Sequence, residues 1–421
     1  MDGANRAKVI PTSYDMRIAL ITYEFPPRIL GGLGIHCAHL VKALTRKGVE
    51  VIVLTPAVEG ASSQEFKDRL KIYRLCASRK RYPQSYNNYP IFYYQNRVKE
   101  FNRRVVEEFK EIEKETGAID LYHCQDWGAA KSGISLKKRH PKPLVLTFHG
   151  IEPLKYPDKS EQRKWVISVE KKGAKAADKI ITVSNFAKSM ISNIYEIPER
   201  KCHVVYNGID LKRFDPQRIA GEQKDKITHL YRLEGRKIIA YVGRLDSNKG
   251  IPTLIRAAKI WKEMGYVATK TVVAGTGRKH LMENFIKIRD SLDLNEDVIF
   301  TDYIDDLTRD TLYTIADVVA IPSTYEGFGF TAVESMAMEA PLVLSKIPTF
   351  EEIVSNRKTG LFFEPRNPKD LAEKITFLLT HEEFAHKMGK RARRSIRKLF
   401  TWEKTAEKTI EIYEQALKEN I

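Results

Sequence analysis

A strand–turn–helix–strand unit at the amino end constrains this chain more than any other feature. The apolar run Arg17-Ile18-Ala19-Leu20-Ile21-Thr22-Tyr23 ends at Pro26-Pro27 and a glycine-rich turn, Gly31-Gly32-Leu33-Gly34. From Ile35 to Lys47, Leu40, Val41 and Leu44 fall at helical spacing; Gly48 stops the stretch, and Val49 to Leu54 form the next apolar run. This is a βαβ unit, and a chain that repeats it builds a parallel sheet. Strand-like runs at 119–123, 143–148, 179–183 and 203–206 continue the alternation. The pattern breaks at Asn207-Gly208-Ile209-Asp210 and a polar stretch, then restarts with runs at 237–242, 270–274, 297–301, 317–321 and 341–345, before a helical tail from Pro368.

At 421 residues the chain is longer than one hydrophobic core usually supports, so two α/β domains are expected. We divide it into a flexible lead (1–15), a Rossmann-like, doubly wound first domain (16–215), a Rossmann-like, doubly wound second domain (216–400) and a helix (401–421) returning toward the first domain. Ligands of open α/β sheets bind beyond the carboxyl ends of the strands, so two such sheets facing each other would hold a ligand in the cleft between them.

The formal charge of +17 is concentrated in residues 1–210, which carry 36 basic and 23 acidic side chains. Such a field suits an anionic partner. Cys37, Cys76, Cys124 and Cys202 form no CxxC pair and no metal-ligand pattern, and read as reduced thiols of a cytoplasmic protein. Residues 1–15 contain no apolar leader, and no run approaches the roughly 20 apolar residues that span a bilayer.

Chemistry concentrates in the loops that follow strands. Gly31-Gly32-Leu33-Gly34 can bring backbone amides and a helix N-terminus to a phosphate or sugar, or simply make a tight turn. It is not a dinucleotide fingerprint, since Cys37 stands where the last glycine belongs and the next strand ends in Thr55-Pro56 with no ribose-binding acid. Gly243-Arg244-Leu245-Asp246-Ser247-Asn248-Lys249-Gly250 puts two cations at a helix start, suited to a diphosphate, although it lacks the Walker pattern. Gly275-Thr276-Gly277 reads as a turn. In Tyr325-Glu326-Gly327-Phe328-Gly329-Phe330-Thr331-Ala332-Val333-Glu334, two glutamates bracket a loop and a helix start. Thr331 and Glu334 have the spacing of a capping box, which leaves Glu326 unexplained. A loop carboxylate for hydroxyls beside helix amides for phosphate suits a nucleotide sugar.

With these segments in this order, the chain resembles the retaining glycosyltransferases of family 4, which have the GT-B fold. The resemblance spans nearly the whole chain, adding Phe148-His149-Gly150, Val183-Ser184 and Tyr206-Asn207-Gly208-Ile209-Asp210. It implies a hexosyltransferase using a nucleoside-diphosphate sugar, UDP- or ADP-glucose, with no tightly bound cofactor and no metal; no DxD motif occurs in the chain. Arg244 and Lys249 would neutralise the donor diphosphate, assisted by amides at Phe330 and Thr331, with the Gly327-Phe328-Gly329 loop also against the donor. Glu334 would bind ribose and Glu326 the hexose. Gly31, Gly32 and Gly243 would allow close approach, Ile304 would lie by the base, and His149 by the anomeric carbon. Glu24, Asp126 and His149 are the acceptor-side candidates. The catalytic set is then His149, Arg244, Lys249 and Glu326. Because proposed ligands lie on both domains, closure around the donor is expected.

Glycogen and starch synthases of this family carry a lysine where this chain has Ile29, with Arg28 one position out of register, which argues against a long-glucan product. Arg79-Lys80-Arg81, Lys137-Lys138-Arg139 and Arg391-Ala392-Arg393-Arg394 read as solvated faces, with peripheral docking of the basic first domain on a membrane, and a lipid acceptor, as the alternative. Nucleic acid is not expected, because no basic motif is interleaved with stacking aromatics. Tyr82, Tyr86, Tyr89, Phe92, Tyr93 and Tyr94 suit an acceptor surface or a mobile loop. A sugar-nucleotide epimerase or a non-catalytic binding protein are the other functional alternatives.

Overall fold

The computed structural model describes residues 16–75, 91–155 and 160–420. The lead at 1–15, Cys76, the basic run at 79–81 and the side chains of the aromatic cluster from Tyr82 to Tyr94 lie outside that description. The chain forms two compact units, Met1–Gly208 with Trp402–Ile421, and Ile209–Thr401.

The first unit holds β1 (Arg17–Ile21), β2 (Glu50–Pro56), β3 (Gln64–Lys67), β4 (Leu70–Leu75), β5 (Leu121–Gln125), β6 (Leu144–Phe148), β7 (Lys179–Thr182) and β8 (Cys202–Val204). They lie in the order β3-β4-β2-β1-β5-β6-β7-β8. All neighbours are parallel except β3 with β4. This antiparallel edge strand extends the expected parallel sheet. Gln64–Lys67 are all exposed, so neither an apolar run nor a buried face marks β3 in the sequence. The central strands are buried on both faces, which explains their near-continuous apolar runs.

The second unit holds β9 (Lys237–Val242), β10 (Thr269–Ala274), β11 (Val298–Phe300), β12 (Val318–Ile321), β13 (Leu342–Ser345) and β14 (Leu361–Phe363) in the wholly parallel order β11-β10-β9-β12-β13-β14. Its core gathers Ile239, Leu254, Val273, Val318 and Met388 around the buried Trp261, whose indole N–H donates to Thr269 Oγ1 at 3.0 Å.

Among the parallel strands of each sheet the order reverses once, between β1 and β5 in the first unit and between β9 and β12 in the second. At a reversal the loops leave in opposite directions and open a crevice at the carboxyl ends. The loops after β1, β5, β9 and β12 are therefore where each unit can hold a ligand.

The division of the chain falls at Gly208, earlier than the expected 215. Hydrogen bonds explain it: Tyr206 accepts from Thr405 Oγ1 at 2.8 Å and Asn207 meets His36, both within the first unit. Ile209 N donates to Phe400 O, and Arg393 donates to the Phe214 and Leu211 carbonyls, within the second. The helix Trp402–Lys418 belongs to the first unit, where Lys47 pairs with Glu407 at 2.6 Å and Lys179 with Glu419 at 2.5 Å. Two basic runs have structural work: Lys137 pairs with Asp178 at 2.6 Å, and Arg391 Nε donates to the Lys358 carbonyl at 2.9 Å.

Candidate active site

In the second unit the switch-point strands β9 and β12 deliver the two loops singled out above. Gly250 adopts φ 68°, and a Cβ there would lie 2.0 Å from the Pro322 carbonyl oxygen, so the loops meet backbone to backbone. Thr324 N donates to Asn248 O at 2.8 Å, and Asn248 Nδ2 to Tyr325 O at 3.0 Å. This seam sets Lys249 Nζ 2.7 Å from Glu326 Oε1, with only 15% and 13% of the two side chains exposed. Ser323 Oγ donates to the same carboxylate oxygen at 2.8 Å, and Thr349 Oγ1 to the Glu326 carbonyl at 2.9 Å. Arg244, 59% exposed, stands 3.3 Å from Asp246. A Cβ on Gly275 would lie 1.9 Å from the Gly243 carbonyl oxygen, and Leu245 N donates to Thr276 O, so Gly275-Thr276-Gly277 supports the Arg244 loop.

Gly329, at φ 91°, is the N-cap of the helix Phe330–Ala337 and offers no side-chain cap. The capping box expected of Thr331 and Glu334 does not form, because Thr331 already lies inside the helix. Glu334 instead turns inward and accepts from Tyr313 Oη at 3.2 Å. Burial raises its carboxyl above the ordinary range, against the pull of the Arg309 guanidinium. Arg309 is itself held by Asp310 at 2.7 Å and Asp306 at 2.9 Å. Gly327 lies in the loop, whereas Phe328 is buried edge-on against Phe330 and Phe400 and anchors it. Ile304 is half-buried in the loop after β11, beside Tyr303, which is 80% exposed.

In the first unit Gly31 is the N-cap of the helix Gly32–Arg46. Glu24, offered as an acceptor residue, is buried and accepts from Leu30 N at 3.0 Å, so that oxygen shapes the glycine turn. Arg28 is buried too, donating to the Tyr23 carbonyl at 2.6 Å; the cation nearest the synthase lysine position serves the loop backbone. Asp126, at φ 54°, accepts from the His149 amide at 2.7 Å and fixes the turn after β6. Burial raises the Asp126 carboxyl, opposed by Lys155 and the His149 amide.

His149 Nε2 lies 2.8 Å from Gln125 Oε1, and its ring packs edge-on against His36. Burial, with Lys155 and His123 adding, pushes the His149 imidazole down to about 3, so it is neutral at ordinary pH. Behind it, His123 Nε2 contacts Thr147 Oγ1 at 2.7 Å and its Nδ1 contacts Tyr413 Oη at 2.6 Å. Sequence reasoning gave no individual role to His36, His123, Gln125 and Tyr413 here, or to Tyr313, Arg309 and Ser323 in the second unit. A signal existed for two of them, since His123 and Gln125 are polar residues in a strand buried on both faces.

The structure thus joins Lys249 to Glu326 in one unit and His149 to Asp126 in the other. Among the described residues no group of three or more His, Cys, Asp or Glu is placed to hold a metal ion. The arrangement offers cations, helix amides and hydroxyl acceptors, chemistry for positioning and for stabilising a charged leaving group.

Residues 30–213 match Glycosyltransferase Family 4, and residues 223–395 match Glycosyl transferases group 1. The chain is 30% identical over 413 residues to an uncharacterized glycosyltransferase of Methanocaldococcus jannaschii, covering 96% of this chain and 99% of that one. It is 26% identical to glycogen synthase of Mycobacterium tuberculosis over 94% of each chain. The structure of sucrose-phosphate synthase from Thermosynechococcus elongatus superposes with a TM-score of 0.80 at 25% identity, covering 95% of this chain and 98% of that one.

Proposed function

This chain belongs to the glycosyltransferases with group 1 and family 4 domains on the GT-B fold, which act on nucleotide sugars, and we propose that it moves glucose from UDP- or ADP-glucose, with retention, to a carbohydrate hydroxyl. The Lys249–Glu326 seam beside the start of the helix Phe330–Ala337 carries this reading. A cation for the diphosphate and a carboxylate for the hexose are built into one contact there. Relatives named for making glycogen and sucrose phosphate support a glucose-class sugar. Family membership removes the epimerase alternative.

In this reading Lys249, Arg244 and the amides of Phe330 and Thr331 receive the diphosphate, Glu334 the ribose and Glu326 the hexose hydroxyls. As the bond from the anomeric carbon to the diphosphate breaks, charge grows on the departing phosphate, which takes the proton of the acceptor hydroxyl as the new bond forms on the same face. The protein supplies position and positive potential, and neutral His149 lines the sugar. The buried thiols of Cys37, Cys124 and Cys202 suit work in the cytoplasm.

The test is a thermal-shift panel of nucleoside diphosphates and their sugars with EDTA present, since a ligand of the native state raises its melting temperature. One base and one sugar should stabilise the wild type and lose their effect in Glu334→Ala; no shift with any glucose donor overturns the reading.

A second reading, a lipid acceptor at an anionic membrane, draws on one observation. Lys99 and Lys131 lie 5.1 and 5.2 Å from the Trp165 ring centre, and Trp127 packs edge-on against that ring. No helix among the described residues is long and apolar enough to cross a membrane, so contact would be peripheral. Flotation with phosphatidylglycerol vesicles, lost in Lys131→Glu, would favour it.

A further inference from the structure

We propose that His36 is a second substrate-contacting imidazole beside His149, with its Nε2 accepting a hydrogen bond from a hydroxyl of the transferred sugar. The inference rests on the glycosyl-transfer reading above and names a residue of that site.

His36 lies in the helix Gly32–Arg46 and is 2% exposed. Its Nδ1 is 2.6 Å from the side-chain oxygen of Asn207, which is also buried. An amide oxygen only accepts, so the proton sits on Nδ1 and the lone pair on Nε2. That Nε2 is shielded from solvent and has no hydrogen-bond partner among the described residues. Buried acceptors are rarely left empty, and an orphan beside a candidate site calls for a ligand group or a water to complete it.

The neighbouring ring gives the orphan its meaning. The His36 and His149 centroids are 4.4 Å apart at an interplanar angle of 67°. His149 Nε2 faces Gln125 Oε1, while the Gln125 amide nitrogen lies 3.1 Å from His123 Nε2. His123 Nε2 also receives Thr147 Oγ1, and its Nδ1 meets Tyr413 Oη. This chain is self-consistent when Gln125 Oε1 accepts from His149, which leaves the His149 lone pair on Nδ1. Trp402 closes the other flank of His36 at 6.1 Å and stacks on His39 at 4.9 Å.

Two imidazoles whose protons are pinned by buried amides thus stand side by side with lone pairs to offer. A sugar hydroxyl brings the proton they need. A phosphate dianion or a carboxylate brings none and would meet lone pair with lone pair. A bound cation would need a third ligand, and the described residues place none.

The full-length protein labelled with 15N-histidine tests this by long-range imidazole correlation spectroscopy, with His36 assigned from the signal lost in His36→Gln. His36 should be the Nδ1–H tautomer, and its Nε2 resonance should move upfield on saturation with UDP-glucose or ADP-glucose but not with UDP or ADP alone. An Nε2–H tautomer, an Nε2 resonance unmoved by a donor that raises the melting temperature, or an equal shift with the sugar-free diphosphate overturns the inference while the transfer reading stands. Failure of both donors to bind overturns the transfer reading and this inference with it. Kinetically, His36→Phe should lower kcat/KM for the donor by about tenfold or more with the diphosphate Kd unchanged, and His36→Gln, which keeps an acceptor, should recover part of the loss. If His36→Phe does not fold, the wild-type spectra alone decide.

Discussion

Lys249 and Glu326 are 77 positions apart, yet Lys249 Nζ rests 2.7 Å from Glu326 Oε1 in a contact largely closed to solvent. Each charge is balanced by the other, and Ser323 adds a donor to the carboxylate. Removing either partner leaves a half-buried charge without compensation, so the pair should behave as a unit.

Lys249→Ala and Glu326→Ala should each lower kcat/KM by about 100-fold or more, and the double variant should fall well short of the product of the two losses. For Lys249→Ala and Arg244→Ala the loss should lie more in kcat than in KM, because charge on the diphosphate grows in the transition state. Equal losses in kcat and in donor affinity would contradict this. Steady-state kinetics with a donor saturation series measures both.

Glu334 is buried beside Tyr313 and within the field of Arg309. If it receives the ribose hydroxyls, Glu334→Gln should weaken binding of the nucleoside diphosphate itself. Tyr313→Phe removes the hydroxyl that orients the carboxylate and should weaken binding by about a few-fold or more, the size of one hydrogen bond. Calorimetric titration with UDP and ADP reads these effects without an acceptor.

Gly250→Ala places a Cβ 2.0 Å from the Pro322 carbonyl oxygen at φ 68°. The two loops must separate or the backbone must strain, so we expect a loss of about 2 kcal/mol or more and a melting temperature lower by about 5 °C. The control Gly235→Ala has open space around its Cβ and only the positive φ against it, so it should lose less. Thermal unfolding by circular dichroism compares them.

Glu170 is buried, accepts from Tyr195 Oη and from the Glu152 amide, and burial lifts its carboxyl to about 8. Between its ordinary value of 4.5 and about 8 the folded state holds a proton that the unfolded state has released. This contribution to stability is full below that window and is lost as pH rises through it. Glu170→Gln, which resembles the protonated form, should remove that part of the pH dependence and leave the variant relatively more stable at pH 8 than at pH 5. A series of melting temperatures from pH 4.5 to 8.5 checks the sign.

Much of the architecture was legible in the chain. Strands such as Leu144–Phe148 and Leu342–Ser345 are buried on both faces, so apolar residues must run through them without alternation. Gln64–Lys67 forms a strand with no such mark, because an exposed edge strand takes its backbone partners from one side and its side chains from solvent-compatible residues. The missed sheet edge and the boundary at Gly208 have one cause, since both depend on partners distant in sequence.

The same division runs through the candidate site. Sequence alone singled out the loops proposed to form the site, because glycines, cations and paired glutamates placed after strands are local patterns with local chemistry. Tertiary structure decided what each side chain does. Thr331 and Glu334 have capping-box spacing, yet the helix starts too early for the box and Glu334 turns to Tyr313. Glu24 looks like a ligand group in the chain and is taken up by the loop that carries it. His36 looks like an ordinary helical residue until Asn207 claims one nitrogen and burial isolates the other. Spacing along a chain specifies neighbours within a turn of helix or strand, whereas burial and hydrogen-bond partners are set by contacts across it.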